Sequence, residues 1–171
     1  RLVNYTGPQI DSSGRQTNAS QPAFSATLGT SVTNKTGDGT TYTVLFDTTA
    51  FSQGITYASG TGLATVPIAG KYFFYAQILL TSVGAGHTGS TFDLQQAGSA
   101  TNFFRQDLNP ANCRAGSGDT NDVTLFVQGF ISLAANDTMK VNVTVTGSTK
   151  TVGVFGNATN LYTSFGGWLV C

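Results

Sequence analysis

The sequence predicts an all-β domain, a sandwich or barrel of about ten antiparallel strands. Three observations carry that expectation. Apolar residues alternate with polar ones along short runs, and no stretch keeps the helical period over about 11 residues or more. Turn-forming clusters separate the runs: Thr36-Gly37-Asp38-Gly39, Gly84-Ala85-Gly86, Gly116-Ser117-Gly118-Asp119 and Ala135-Asn136-Asp137. Charged residues make up only 9% of the chain, against roughly 25% in an average globular protein. Glu is absent, and Thr, Ser, Gly and Asn fill the polar positions. That set suits strand surfaces and turns, whereas exposed helix faces draw on Glu, Lys and Arg.

Residues 1–21 are polar, with Gly7-Pro8 and Ser12-Ser13-Gly14, and read as an N-terminal arm or linker that orders against a neighbour. The domain spans 22–171. Ala23 to Leu28 alternates cleanly, and Tyr42 to Phe46 follows a Gly/Asp/Thr turn. Ile55 to Tyr57 and Gly62 to Val66 are short strands. Gly70 to Leu80 is the most hydrophobic run. Thr91 to Gln96, Asn102 to Arg105, Val123 to Leu133, Met139 to Val145, Val152 to Phe155 and Leu161 to Val170 complete the set.

The central run has two apolar faces. Successive strand residues point to opposite sides, so Tyr72, Phe74, Ala76 and Ile78 share one face while Phe73, Tyr75, Gln77 and Leu79 share the other. In the tail, Phe165, Gly167 and Leu169 oppose Trp168 and Val170. A strand apolar on both faces needs cover on both. A subunit interface formed by Phe73, Tyr75, Leu79, Trp168 and Val170 would cover the second face, the alternative being a loop or the N-terminal arm laid over it; three such faces about an axis would close a trimer.

Phe46, Tyr57, Gly70, Tyr72 and Phe74, followed by Phe165, Gly167 and Leu169 at the end, resemble the signature of the complement C1q-type globular domain. That family lies in the tumour-necrosis-factor-like superfamily. The match runs over about residues 22–171, with departures at Ser52, Ala64 and Ala76 that mark a distant member; Leu63 is expected to take over the packing lost at Ala64. The composition is similar to that of viral fibre heads and microbial C1q-like domains. The resemblance implies a two-sheet antiparallel jelly roll. It implies a non-enzymatic homotrimeric binding head on a virion or cell-surface fibre, recognising a host glycan or protein through its loops. The alternatives are a purely structural fibre-cap or capsid-decoration protein and a secreted recognition protein.

Chemistry-bearing residues are few. His87 is the lone histidine, in the loop Gly84-Ala85-Gly86-His87-Thr88-Gly89, and reads as a solvated loop residue. No nucleophile elbow accompanies it, which argues against a hydrolase. Asp107, Asp119 and Asp122 border an oxygen-rich loop that could hold calcium, although the spacing fits no EF-hand. Loops beyond about 12 residues are often functional. His87, Asn109, Asn112, Arg114, Asp119 and Asn121 are accordingly the ligand-contact candidates.

The formal net charge is zero, which disfavours nucleic acid and anionic membrane surfaces. No apolar run approaches the roughly 20 residues of a membrane span. The start at Arg1, with Met139 as the only methionine, reads as an excised or matured piece. Low charge with a surface of hydroxyls and amides reads as an exterior structural or adhesive protein, and the resemblance implies an extracellular or virion-surface location. Cys113 and Cys171 pair only if their Cα atoms come within about 7 Å. Asn4, Asn18, Asn34, Asn136, Asn142 and Asn157 head N-glycosylation sequons, which matter only on a secretory route.

Overall fold

The computed structural model describes residues 8–10, 12–14, 16–18, 20–99, 102–113 and 121–171. In chain order the strands are β1 (Gln9–Ile10), β2 (Gln16–Thr17), β3 (Ala23–Thr27), β4 (Thr30–Thr36), β5 (Thr41–Thr43), β6 (Thr48–Gln53), β7 (Thr56–Ala58) and β8 (Leu63–Thr65). They continue with β9 (Gly70–Thr81), β10 (Gly89–Gln96), β11 (Asn102–Leu108), β12 (Val123–Leu133), β13 (Thr138–Thr146), β14 (Val152–Asn157) and β15 (Ser164–Leu169). A 3-10 turn, Pro110–Asn112, lies between β11 and β12.

Two antiparallel sheets form a jelly-roll sandwich. The larger runs β4-β14-β9-β15-β3-β6, with β12 on the other edge of β9; the smaller runs β11-β10-β13-β8-β7, with β5 also on β13. β1 and β2 pair only with each other, so the arm region holds a two-stranded ribbon that the sequence pattern did not announce.

β9 organises the larger sheet. Every residue from Gly70 to Leu80 pairs with β12, while Tyr72 to Gln77 pair with β15 on the opposite edge. Its inward face, Tyr72, Phe74, Ala76, Ile78 and Leu80, is completely buried. The densest packing surrounds Phe165, whose ring lies 5.0 Å from Phe24, 5.6 Å from Phe46, 6.0 Å from Phe74 and 6.1 Å from Tyr57. Full burial of one such ring contributes about 1.5–3 kcal/mol. The Tyr57 hydroxyl accepts from the Phe46 N–H at 2.9 Å, which satisfies a backbone donor as the chain leaves the smaller sheet.

Several sequence expectations need correction. Of the Tyr42–Phe46 run only Tyr42 and Thr43 lie in strand, as the end of β5; Val44 and Phe46 turn into the core instead. Ala64 is the buried residue of its strand, and Leu63 lies on the other face, so it does not take over the packing of the missing aromatic. Strand β15 starts at Ser164 rather than at Leu161. β4 and β6 were not anticipated. All six residues of β6 are exposed, and β4 carries little apolar alternation, so backbone pairing alone defines them.

The two ends of the sandwich differ. Pro22, Gly70 and Cys171 gather at one end, where Leu169 donates to the Pro22 carbonyl and Lys71 to that of Cys171. The turns after β4, β9, β11 and β13 meet at the other.

Candidate assembly and binding surfaces

The outward face of the larger sheet is an aromatic surface. Phe130, Phe73 and Trp168 lie side by side on β12, β9 and β15 in direct register. Their rings contact in a ladder, with centroids 5.1 Å apart for Phe73–Phe130 and 4.6 Å for Phe73–Trp168. Phe130 and Trp168 nevertheless remain 68% and 42% exposed. In the next row, Tyr75 lies across Gly166; a Cβ on that glycine would sit 2.6 Å from the ring, so only glycine admits this approach. Phe126 extends the surface along β12, and Phe51 lies beyond on β6 opposite Ser25. Phe73, Tyr75 and Leu79 are half-buried, and Val170 is 44% exposed.

The structure thus brings the five expected interface residues to one side. Sequence reasoning missed Phe126 and Phe130, though their spacing in Phe126-Val127-Gln128-Gly129-Phe130 placed them on the face opposite Leu125 and Val127. Beside Phe126, an open groove between β11 and β12 is lined by Phe104, Gln106 and Gln128. There the Gln106 side-chain oxygen accepts from the Phe126 N–H at 2.9 Å, bridging the edges of the two sheets.

Four of the ligand-contact candidates, His87, Asn109, Asn112 and Asn121, lie at the loop end, with different exposures. His87 is buried, not solvated. Its Nδ1 accepts from the Gly84 N–H at 2.8 Å, and its Nε2 lies 3.0 Å from the Thr149 carbonyl, to which it donates. Both ring nitrogens are therefore engaged. The His87 carbonyl accepts from the Ala111 N–H at 3.1 Å, which ties the Asn109–Cys113 turn to the histidine loop. Asn109 is half-buried, and its side-chain oxygen caps that turn by accepting from the Ala111 N–H at 3.1 Å. Asn112 and Asn121 are exposed; Asn121 accepts from the Val83 N–H at 2.9 Å through its carbonyl. Arg114 and Asp119 lie outside the described residues.

Among the described residues no three His, Cys or Asp side chains converge, and the Asp119 stretch of the oxygen-rich loop lies outside them. Asp107 accepts from Arg105 Nε at 2.7 Å. Asp93, beside the same guanidinium at 3.8 Å, has its carboxyl pushed up by burial, an effect that Arg105 opposes. Cys113 and Cys171 are free and exposed. Asn142 is buried and bonded to Thr43 and Gln95, so its sequon side chain is occupied in the fold.

The sandwich and its aromatic outer face define a class, the jelly-roll domain built to be covered on one sheet. Comparison with protein families makes the class specific: the model of the TNF (Tumour Necrosis Factor) family matches residues 46–167, and the chain belongs to that family. Among solved structures, the chain is similar to the crystal structure of murine APRIL at pH 5.0, with a TM-score of 0.57 and 13% identity, covering 88% of this chain and 99% of that one. At that identity the likeness shows the fold alone. Comparison with curated protein sequences returns no match.

Proposed function

We propose that this domain is a non-enzymatic homotrimeric binding head that presents its loop end to a host glycan or protein on a virion or cell-surface fibre. One observation carries the reading: the five predicted residues and two further phenylalanines make a single aromatic face that one chain leaves open. An exposed apolar face of this extent marks an association surface. TNF-family domains typically form homotrimers, bind receptors and act outside cells, which agrees with that use of the face. Pro22 and Cys171 lie at the end away from the loops, so assembly by the sheet leaves the loop end free to meet a partner.

The structural alternative, a fibre cap or capsid-decoration protein with no host ligand, draws support from the loop end itself. His87 spends both ring nitrogens, and Asn109 its side-chain oxygen, on the fold. The remaining alternative, a secreted recognition protein, shares the trimer and the loops.

The first test is absolute mass in solution by light scattering, with and without a calcium chelator. Three times 17.8 kDa in both buffers supports the trimeric head and makes calcium a local matter at most. A single-chain mass in both overturns it. A glycan-array signal lost on substitution of Asn112 and Asn121 separates a ligand-binding head from a structural cap.

A further inference from the structure

We propose that the groove between β11 and β12 is a second binding site, suited to a neutral saccharide and separate from the loop end. The inference shares only its class of ligand with the reading above and does not depend on the loops.

β11 and β12 are edge strands, one in each sheet. Between them lies an open groove of about 510 Å³, within the roughly 300–1,000 Å³ of small-ligand sites. Strand alternation sets its banks. Arg105 and Asp107 stand on the side of the smaller sheet, Phe126 and Gln128 on that of the larger, and Phe104 and Gln106 lie between. The Phe104 ring is fixed against Gly129, where a Cβ would have no room. The Gln106 bond to the Phe126 N–H ties the two edges across the groove.

The polar groups here are left over from folding, in contrast to those of His87. Arg105 donates from Nε to Asp107 at 2.7 Å, and its terminal N–H groups have no partner among the described residues. Gln106 uses its side-chain oxygen but leaves its amide N–H groups unbonded among the described residues. Gln128 is exposed, and its amide makes no hydrogen bond among them. Asp93, paired across from Arg105, is only 8% exposed, yet its Oδ1 accepts no hydrogen bond. That oxygen lies 3.8 Å from Arg105 Nε, so a shift of about 1 Å would make the bond. Arg105 thus has a second seat on Asp93. When it moves there, the Asp107 carboxylate is released to accept from a ligand.

These groups select the ligand. Guanidinium and amide N–H groups donate, while carboxylate and amide oxygens accept, so a partner with adjacent hydroxyls can satisfy both. Phe126, 42% exposed, offers an apolar wall to the C–H face of a pyranose ring. A basic side chain is less well matched, because Arg105 already stands between the two carboxylates. An anion would meet two carboxylates beside one guanidinium.

The experiment is an amide-resolved NMR titration of the intact, isotope-labelled chain. The probes are methyl β-galactoside, methyl α-mannoside and N-acetylglucosamine, added separately at millimolar concentrations. Saturable shifts at the 104–107 and 126–128 amides are expected with at least one probe. Gln128→Ala should weaken that binding about fivefold and Arg105→Gln about tenfold. No saturable groove shift with any probe overturns the site, and so does unchanged affinity in both variants. If Arg105→Gln does not fold, the Gln128→Ala affinity decides. Acetyl-arginine amide is the fourth probe; groove shifts with it and with none of the sugars assign the groove to a protein partner's basic side chain and overturn the saccharide. Amides 109–113 and 121 report the loop end in the same spectra. Shifts there without groove shifts leave the loop reading standing and sink this one, and the reverse pattern does the opposite.

Discussion

Trp168→Arg tests the assembly face most directly. Trp168 already rests on Phe73 within one chain, yet 42% of it remains in water. A tryptophan side chain spans about 250 Å², so about 100 Å² is still available for a neighbour to cover. At about 25 cal/mol per Å² that area contributes about 2.5 kcal/mol per copy. Spread over three copies the loss is about 7–8 kcal/mol, and per contact it corresponds to about 70-fold in affinity. Arginine adds the cost of placing a charge against Phe73 and Phe130. The assay is mass against concentration by light scattering, with Thr41→Arg on the opposite, outer face of the smaller sheet as control. The expected outcome is a single-chain mass for the Trp168 variant at micromolar concentration, with the control indistinguishable from wild type. If the variant keeps wild-type mass through dilution, Trp168 is not covered by a neighbour and the reasoning from its exposure fails.

Phe165→Ala removes the ring around which four others pack and should destabilise the fold by about 3–5 kcal/mol, read by urea denaturation. Burial pushes the Tyr57 hydroxyl up to about 12, against the opposing Phe46 N–H bond. The folded state therefore holds this proton where the unfolded chain has begun to lose it. Stability is fully present below pH ~10 and falls as pH rises from there to about 12; Tyr57→Phe should remove that share of the alkaline loss and cost about 1 kcal/mol at neutral pH by orphaning the Phe46 N–H. Gly166→Val drives a side chain into the Tyr75 ring. It should lower the trimer fraction by light scattering while costing the single chain about 1 kcal/mol, because the half-exposed ring can swing outward.

Much of the sandwich was legible because its period is local. Gly70 to Leu80 alternates so regularly that its inward face could be written down from the sequence, and the buried set Tyr72, Phe74, Ala76 and Ile78 agrees. β4 and β6 left no such trace. Thr48–Gln53 buries nothing, so its strand character comes from pairing with β3, a neighbour the sequence does not name. The candidate site divides the same way. Phe73, Tyr75 and Trp168 were found by alternation, while His87 was misread because its burial is made by turns at Gly37, Ala111 and Thr149, far away along the chain. A histidine among glycines looks solvated until the loops that close over it are known.

The place of β15 has a consequence for the birth of the fold. This strand, Ser164–Leu169, is inserted between β3 and β9, which lie far upstream and do not pair with each other there. Until it arrives, the 72–77 stretch of the aromatic strand β9 has one edge unpaired and Phe24, Phe46 and Phe74 lack the ring that joins them. Sequence-distant pairings of this kind raise contact order and slow folding. A nascent chain of this protein carries its most adhesive strand incompletely paired from the time Gly70–Thr81 is made until Ser164–Leu169 follows and closes the core.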